Sequence, residues 1–408
     1  MQNNLSGHRK IDWARAHMKV MNALREEYLP HQPFKGIRLS MCIHLEAKTA
    51  CLCEVLRDLG ADLAITSSNP LSTQPDVAEA LKERGIAVFA EKTLDEDTYW
   101  KHMDAVLAID PHILIDDGAD LGIRWMEKEA EKFSKLLGIC EETTTGLQRY
   151  RALDAEGLMP VPVVAVNDSR MKYLFDNRYG TGQSTWDGII RSTNVSISGK
   201  TVVVAGYGWC GKGIALRAKA YGAKVIITEI DPVKACEAEM DGFSSMTMMQ
   251  AAPVGDIFVT ATGNMDVITK EHFPLMKDGA ILANAGHFDV EVKVADLKSI
   301  GTSCREMKPG IEGYKLKNGK ELFLLAYGRL VNLVNGDGHP IEIMDLSFSI
   351  QLEAARFLLQ EKGKLPRGVM PVPASIDDKI ARIKLASDHL SVDELSETQR
   401  QYLNSWKL

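Results

Sequence analysis

Three glycines, Gly206, Gly208 and Gly211, stand in G-x-G-x-x-G spacing directly after a β-branched run, Thr201–Ala205. A helical stretch at 212–221 follows, then a second apolar run, Lys224–Thr228, that ends on Glu229. Each glycine has a mechanical use in holding phosphate. The first permits a tight turn, the second lets the backbone approach a pyrophosphate, and the third lets helix and strand pack closely. A diphosphate placed there meets free N–H groups at a helix N-terminus, where the dipole favours negative charge. An acid at the end of the second strand accepts hydrogen bonds from ribose hydroxyls, and its charge repels a 2′-phosphate. The stretch therefore reads as an NAD site rather than an NADP site, built from Gly206, Gly208, Trp209, Cys210, Gly211, Lys212, Gly213 and Glu229. A βαβ unit with no ligand is the alternative.

The elements that must position this loop are legible as alternation. Strand-like and helical segments follow one another at 36–43, 46–59, Asp62–Thr66, 77–84, 86–90, 99–107, Ile113–Asp116 and 128–136, after an amphipathic helix at 11–30. Such alternation predicts a parallel sheet covered by helices. The expected class is α/β: two doubly wound, Rossmann-like parallel-sheet domains plus a short helical C-terminal segment. The division runs 1–180, completed by 341–385, for a substrate-binding domain, 181–338 for the NAD domain, and 386–408 for an oligomerisation segment. Polar clusters close the strands: His44-Leu45-Glu46, Asp116-Asp117-Gly118, Glu141 to Gly146, Thr262-Gly263-Asn264 and Asn284-Ala285-Gly286-His287. Ligands of open parallel sheets bind outside the carboxyl ends of strands, so these clusters should face a common cleft. The turn Gly336-Asp337-Gly338-His339-Pro340 marks an exit hinge, and a helix at 343–361 crosses back to the first domain.

Composition narrows the partners. A net charge of −7 without a lysine–arginine block argues against nucleic acid. The polar N-terminus lacks the apolar core of a signal peptide, and no run of about 18 apolar residues is present, so a cytoplasmic protein without a membrane partner is expected. Seven scattered cysteines, none in C-x-x-C spacing, read as reduced and mostly buried thiols. No metal-ligand spacing is evident.

The runs SMCIHLEAKTA, IDDGADL, EETTTG, VNDSRMKYLFDNRYGTGQS, VVVAGYGWCGKG, ITEIDP, NAGHFDVE and GRLVNLVNGDGHP resemble, in order, the S-adenosylhomocysteine hydrolases, over about residues 10–400. The resemblance implies a reversible reaction in which NAD oxidises a ribose 3′-hydroxyl and the 4′ proton becomes acidic. Homocysteine then leaves from the 5′ carbon, water adds, and the hydride returns. It implies that Lys172 takes the 3′-hydroxyl proton, which requires a neutral amine, through burial or a nearby positive nicotinamide. Asp176 would contact the 3′-hydroxyl, Asn177 would lie between substrate and nicotinamide, and Glu142 would grip a ribose hydroxyl. His44 and Asp117 would move protons at the 4′ and 5′ positions. Thr143, Thr144, Thr145, Ala285, Gly286, His287 and Asn332 would surround the cofactor, His287 counting also as catalytic, and His339 would gate access. Taken alone, each residue has a plainer reading: a satisfied polar histidine, a helix cap at Asp116-Asp117, a solvated lysine, a Gly-His-Pro turn. The family analogy also implies a homotetramer acting on a small nucleoside thioether.

Four positions depart from the commoner family pattern. Glu46 and Lys48 replace threonine and glutamine or glutamate at the base-reading positions, a HLEAKTA form that a subset of archaeal and thermophilic-bacterial relatives shares. Glu46 can accept from the N1–H of hypoxanthine and Lys48 can donate to its 6-oxo group, whereas adenine has the reverse pattern. S-inosylhomocysteine is therefore expected to be preferred; a solvent-facing pair or a plain Glu–Lys bridge is the alternative. Lys234 stands where relatives often carry asparagine, slightly weakening the case for NAD, and Thr181 replaces a cysteine. The sequence stops where relatives continue into a tail that reaches a neighbour's NAD, so looser cofactor is expected, and Lys407 is not expected to substitute. Two rivals remain, a 2-hydroxyacid-type NAD dehydrogenase and a catalytically silent NAD-binding regulator of the same family.

Overall fold

The computed structural model describes residues 2–406, so Lys407 lies outside the described residues. Short apolar runs form the strands. In the first half these are β1 (Arg38–Cys42), β2 (Asp62–Thr66), β3 (Ala87–Val88), β4 (Ile113–Asp116), β5 (Gly138–Glu141) and β6 (Pro162–Ala165). The second half supplies β7 (Thr201–Ala205), β8 (Lys224–Thr228), β9 (Ser244–Ser245), β10 (Ile257–Thr260), β11 (Ile281–Asn284), β12 (Gly301–Lys308), β13 (Ile311–Leu316) and β14 (Glu321–Leu325). The last strand, β15 (Gly368–Pro371), returns to the first sheet and pairs with β6.

The strand orders are β15-β6-β5-β4-β1-β2-β3, parallel throughout, and β12-β13-β14-β11-β10-β7-β8-β9. Helices cover both faces, so the central strands are buried on both sides, as parallel sheets require. Alternate residues enter separate cores: Ile113 and Ile115 of β4 point one way and Leu114 the other, and Val202 and Val204 of β7 oppose Val203. Strand order reverses between β1 and β4 in one sheet and between β7 and β10 in the other. Those reversals are where crevices open at strand C-termini. They set the positions of the loops after β1, β4, β7 and β10.

The structure corrects several boundaries. The helix expected at 11–30 is two, Gln2–His17 and Lys19–Tyr28, broken at Met18. The buried Asp345 carboxylate accepts the N–H groups of Val20 and Met21, capping the second helix from the far end of the chain. The helix placed at 128–136 is instead Asp120–Lys128, followed by a single turn, Ala130–Phe133. The strand read at 86–90 is two residues long. β12 and β13 run antiparallel to their neighbours, an extension not anticipated. Among the described residues after Ser387, the helix is Glu397–Asn404, and none of its residues is buried. All seven cysteines are free: Cys42, Cys51, Cys53 and Cys140 are buried, Cys210 is half-buried, and Cys236 and Cys304 are exposed.

The helix Thr181–Thr193 crosses the glycine-loop helix Trp209–Ala220 backbone to backbone. A Cβ on Gly182 would lie 2.6 Å from the Gly213 carbonyl oxygen, and one on Gly213 would collide with the Arg178 carbonyl. Gly208, by contrast, would meet nothing within 4 Å. Gly213→Ala is expected to lower stability by about 1–3 kcal/mol, since the backbones must separate. Gly208→Ala should change stability by about 0.5 kcal/mol or less and instead weaken dinucleotide binding. Denaturant midpoints and cofactor titrations of the two variants check this contrast.

Candidate active site

The two reversals open onto one cavity of about 980 Å³, lined from the first half by His44, Glu46, Lys48, Asp117 and Glu142, and from the second by Gly206, Gly208, Glu229, Thr262 and His287. Its dinucleotide end follows the glycine logic. Gly206 has φ +94°, and a Cβ on Gly211 would strike the Gly206 carbonyl. Glu229, at the tip of β8, accepts the Tyr207 N–H at 2.7 Å and those of Ile230 and Asp231, so the acid also fixes the loop. Trp209, Cys210 and the exposed Lys234 line the cavity, as do Thr143, Thr144, Thr145, Ala285, Gly286 and Asn332. Gly211, Lys212 and Gly213, expected at the cofactor, do not line it. Gly211 and Gly213 serve packing, and Lys212 turns to Glu237 at 2.5 Å and across the Trp209 ring. The threonine run caps and begins the helix Thr144–Ala155, Thr143 Oγ1 accepting the Gly146 N–H.

At the centre lies Lys172, 4 % exposed. Its Nζ donates to Asn177 Oδ1 at 2.9 Å and stands 3.5 Å from both Glu142 Oε1 and Asp176 Oδ1. Burial disfavours its charge, yet Asp176, Glu142 and Asp117 outweigh burial and raise its pKa above the ordinary lysine value. Burial alone therefore does not deliver the neutral amine expected from the sequence; of the two routes, a neighbouring positive charge is left. Burial also acts on the partners. It raises Glu142 to about 7, against the pull of Lys172. Asp176 resists burial because Lys172 and His339 hold it below the usual carboxylate range. His339 Nδ1 lies 3.0 Å from Asp176 Oδ1, and its Nε2 3.3 Å from Thr181 Oγ1.

A second cluster joins the halves. His44 Nε2 lies 3.5 Å from Asp117 Oδ2 and His287 Nδ1 3.7 Å from Asp117 Oδ1, while His44 Nδ1 meets Ser72 Oγ at 2.8 Å. Burial lowers the His44 pKa to about 4 although Asp117 opposes it, so the ring is neutral at physiological pH. These three side chains offer ligand atoms within 4.8 Å of one another, a cluster that the spacing in sequence does not reveal. Gly118, with φ +106°, makes room for His287: a Cβ there would run into Nε2 of the ring.

Glu46 and Lys48 sit at the third end of the cavity, both buried. Glu46 is the N-cap of the helix Ala47–Asp58, taking the N–H groups of Lys48 and Thr49. Lys48 Nζ lies 2.8 Å from Glu46 Oε2 and donates to the Asp337 carbonyl at 2.8 Å. The ion bridge considered as the plain alternative is thus formed, and it forms inside the cavity rather than in solvent.

Two family models match this chain: residues 1–135 match S-adenosyl-L-homocysteine hydrolase, and residues 177–338 match the S-adenosyl-L-homocysteine hydrolase NAD binding domain. An adenosylhomocysteinase of Thermotoga maritima is 54% identical over 98% of this chain and 100% of its own length. The chain belongs to the S-adenosyl-L-homocysteine hydrolase family. An S-inosyl-L-homocysteine hydrolase of Methanococcus maripaludis is 52% identical over 98% of this chain and 97% of its own. A dipicolinate synthase chain of Bacillus halodurans, 14% identical with a TM-score of 0.50, covers 80% of this chain and 99% of its own, a likeness of fold alone.

Sequence reading missed the residues that hold this hydrolase-family site in shape. Asp116 accepts the Gly122 N–H and the Tyr150 hydroxyl, and Glu141 accepts the N–H groups of Gly118 and Thr143. Ser347 and Gln351 donate to Asp176 and Glu142, each at 2.6 Å. Glu291 binds the loop after β10 through Thr262 and Gly263. Asp116 and Glu141 stood in polar strand-end clusters without a role of their own, and Ser347 and Gln351, one helical turn apart, carried a usable signal; Glu291 carried none.

Removing a donor from a carboxylate disfavours its charged form. Gln351→Leu should therefore move the Glu142 midpoint upward from about 7, read by carboxyl carbon NMR. Gly118→Ala should cut turnover about a hundredfold by displacing the His287 ring. Gly36→Ala carries a similar left-handed penalty, at φ +78°, but meets no atom within 4 Å; its turnover should be unchanged.

Proposed function

We propose that this chain hydrolyses the thioether of a purine-nucleoside homocysteine, reversibly, to nucleoside and L-homocysteine, with NAD as resident cofactor and S-inosylhomocysteine preferred over S-adenosylhomocysteine. The observation that carries the reading is Lys172 held by Asp176, Glu142 and Asn177 where the two crevices meet. Family membership and the names of the relatives support it. An ordinary hydroxyacid dehydrogenase has no use for a homocysteine-hydrolase site, and a silent regulator none for an intact proton-transfer set; neither rival is favoured.

The residues fit the cofactor. The open side of Gly208, the turn at Gly206 and the acid at Glu229 suit a dinucleotide, and the buried Asn332 Oδ1 has no hydrogen-bond partner among the described residues. NAD, when bound, supplies the acceptor for a hydride from the ribose 3′ carbon and returns it after the thioether is broken. Lys172, made neutral by a neighbouring positive charge rather than by burial, takes the proton of the 3′-hydroxyl oxygen, with Asp176 orienting that oxygen and Asn177 positioning the amine. Glu142, whose Oε1 accepts no hydrogen bond here, grips a ribose hydroxyl. His44, Asp117 and His287 move the 4′ proton and the protons exchanged when homocysteine leaves the 5′ carbon and water replaces it. The neutral His44 ring is suited to accept. His339, bound to Asp176, gates the entrance.

Base preference follows from what the cap and the bridge do to Glu46 and Lys48. An ionised, capped glutamate only accepts, and an ammonium only donates. Hypoxanthine matches that pair; adenine leaves both mismatched, at about 1–3 kcal/mol each. Relatives bearing either name are about equally similar, so the argument rests on these two side chains. We also infer a cytoplasmic location and a homotetramer; the exposed Leu395, Tyr402, Leu403 and Trp406 of the C-terminal segment support self-association. No described helix is long and apolar enough to cross a membrane.

Purified protein should release thiol from S-inosylhomocysteine without added NAD. Lys172→Met should lower that release by about 10²- to 10⁴-fold. Inosyl turnover should exceed adenosyl turnover about tenfold or more; a strong adenosyl preference sinks the base assignment. Net NADH accumulation with a hydroxy acid would instead favour the dehydrogenase.

A further inference from the structure

The contact that ties Lys48 to the Asp337 carbonyl joins two parts of the chain 289 positions apart. Asp337 lies in the connector 336–339, between the helices Val331–Val334 and Ile341–Gln360. This connector carries the chain out of the second sheet and back to the first. Its Gly338 is left-handed, at φ +72°, and a Cβ there would crowd Leu333 at 2.8 Å and lie 3.8 Å from Lys48 Nζ. Four side chains from outside hold it: Lys48 at the Asp337 carbonyl, Arg191 at the Asp337 carboxylate, and Asp176 and Thr181 at His339. Arg191 and the Asp337 carboxylate are exposed, where an ion pair contributes little. The other three holds come from buried residues of the ligand cavity, Lys48, Asp176 and Thr181, and only Lys48 reaches the Asp337 backbone.

An ammonium has three N–H donors. In Lys48 one faces Glu46 Oε2 and one the Asp337 carbonyl, each at 2.8 Å, which leaves one for a ligand. The group that reads the 6-position of the base is thus the group that fixes the connector. We propose that Lys48 is a positioning residue as well as a base reader: it clamps the connector so that His339 and Asp176 stay registered on the ribose, and base occupancy is felt there. The proposal rests on the base reading above for its second half only. Its first half stands on the Lys48–Asp337 contact itself.

Two substitutions separate the roles. Lys48→Met removes both functions, while Glu46→Gln alters base reading and leaves the Asp337 contact in place. In NAD-loaded protein without substrate, amide hydrogen exchange over 335–339 should accelerate about tenfold in Lys48→Met and stay at the parent rate in Glu46→Gln. Circular dichroism and NAD content verify that both variants are folded. Turnover is then measured with a purine-nucleoside homocysteine that bears hydrogen at the 6-position and so loses no contact to Lys48. Lys48→Met should still lower kcat for that substrate about tenfold, with KM little changed, and Lys48→Arg should restore part of it. If exchange over 335–339 and kcat for this substrate match the parent protein, Lys48 only reads the base and the clamp is overturned. If the exchange changes as expected but the parent protein prefers the adenosyl substrate, the clamp stands and the base reading fails.

Discussion

Burying the Lys172 ammonium is the constraint on which the rest of the structure depends. A charge taken from water must be paired and hydrogen-bonded or it will be lost as a proton. Two carboxylates meet that demand, and each is itself buried and needs support. The support comes from Ser347 and Gln351 on the helix Ile341–Gln360, and from His339 in the connector before it. The return of the chain to the first sheet is thus required by the site as well as by the core. Among its apolar residues Leu346, Phe348, Ile350 and Leu352, that helix turns Ser347 and Gln351 to the carboxylates and Asp345 to the helix Lys19–Tyr28.

A similar economy shapes the strand ends. β4 and β5 each finish in or beside a pair of acids, Asp116-Asp117 and Glu141-Glu142. In each pair the inner acid binds backbone N–H groups of the loops, and the outer one lines the cavity. Burial acts on inner and outer acids alike: desolvation raises Asp116 to about 6, Glu141 well above its usual range, and Glu142 to about 7. Each outer acid keeps one oxygen, Asp117 Oδ1 or Glu142 Oε1, that accepts no hydrogen bond from the described residues.

Much of this was legible in the sequence where the demand is local. The glycine loop, its strand and the acid after it are fixed by backbone sterics within one supersecondary unit, and Gly206, Gly208, Gly211 and Glu229 sit as their spacing predicts. The polar strand ends that face the cavity follow from the parallel topology. Residues acting across long separations were not legible: Asp345 capping a helix near residue 20, or Gly118 yielding space to His287. Their signal exists only once the chain is folded. The protonation of Lys172 was half legible. Its burial was foreseeable, but the balance between burial and three carboxylates depends on distances that no spacing encodes.

The antiparallel extension of the second sheet leaves β12 as an open border, its backbone available to any passing strand. Nearly all of its side chains are exposed, among them Arg305, Glu306 and Lys308, and two register irregularities break its pairing with β13. Charge and irregularity on an unpaired strand discourage recruitment of foreign chains. The sheet is thus kept finite at the border farthest in sheet order from β9, while the crevice opens between β7 and β10 in its interior.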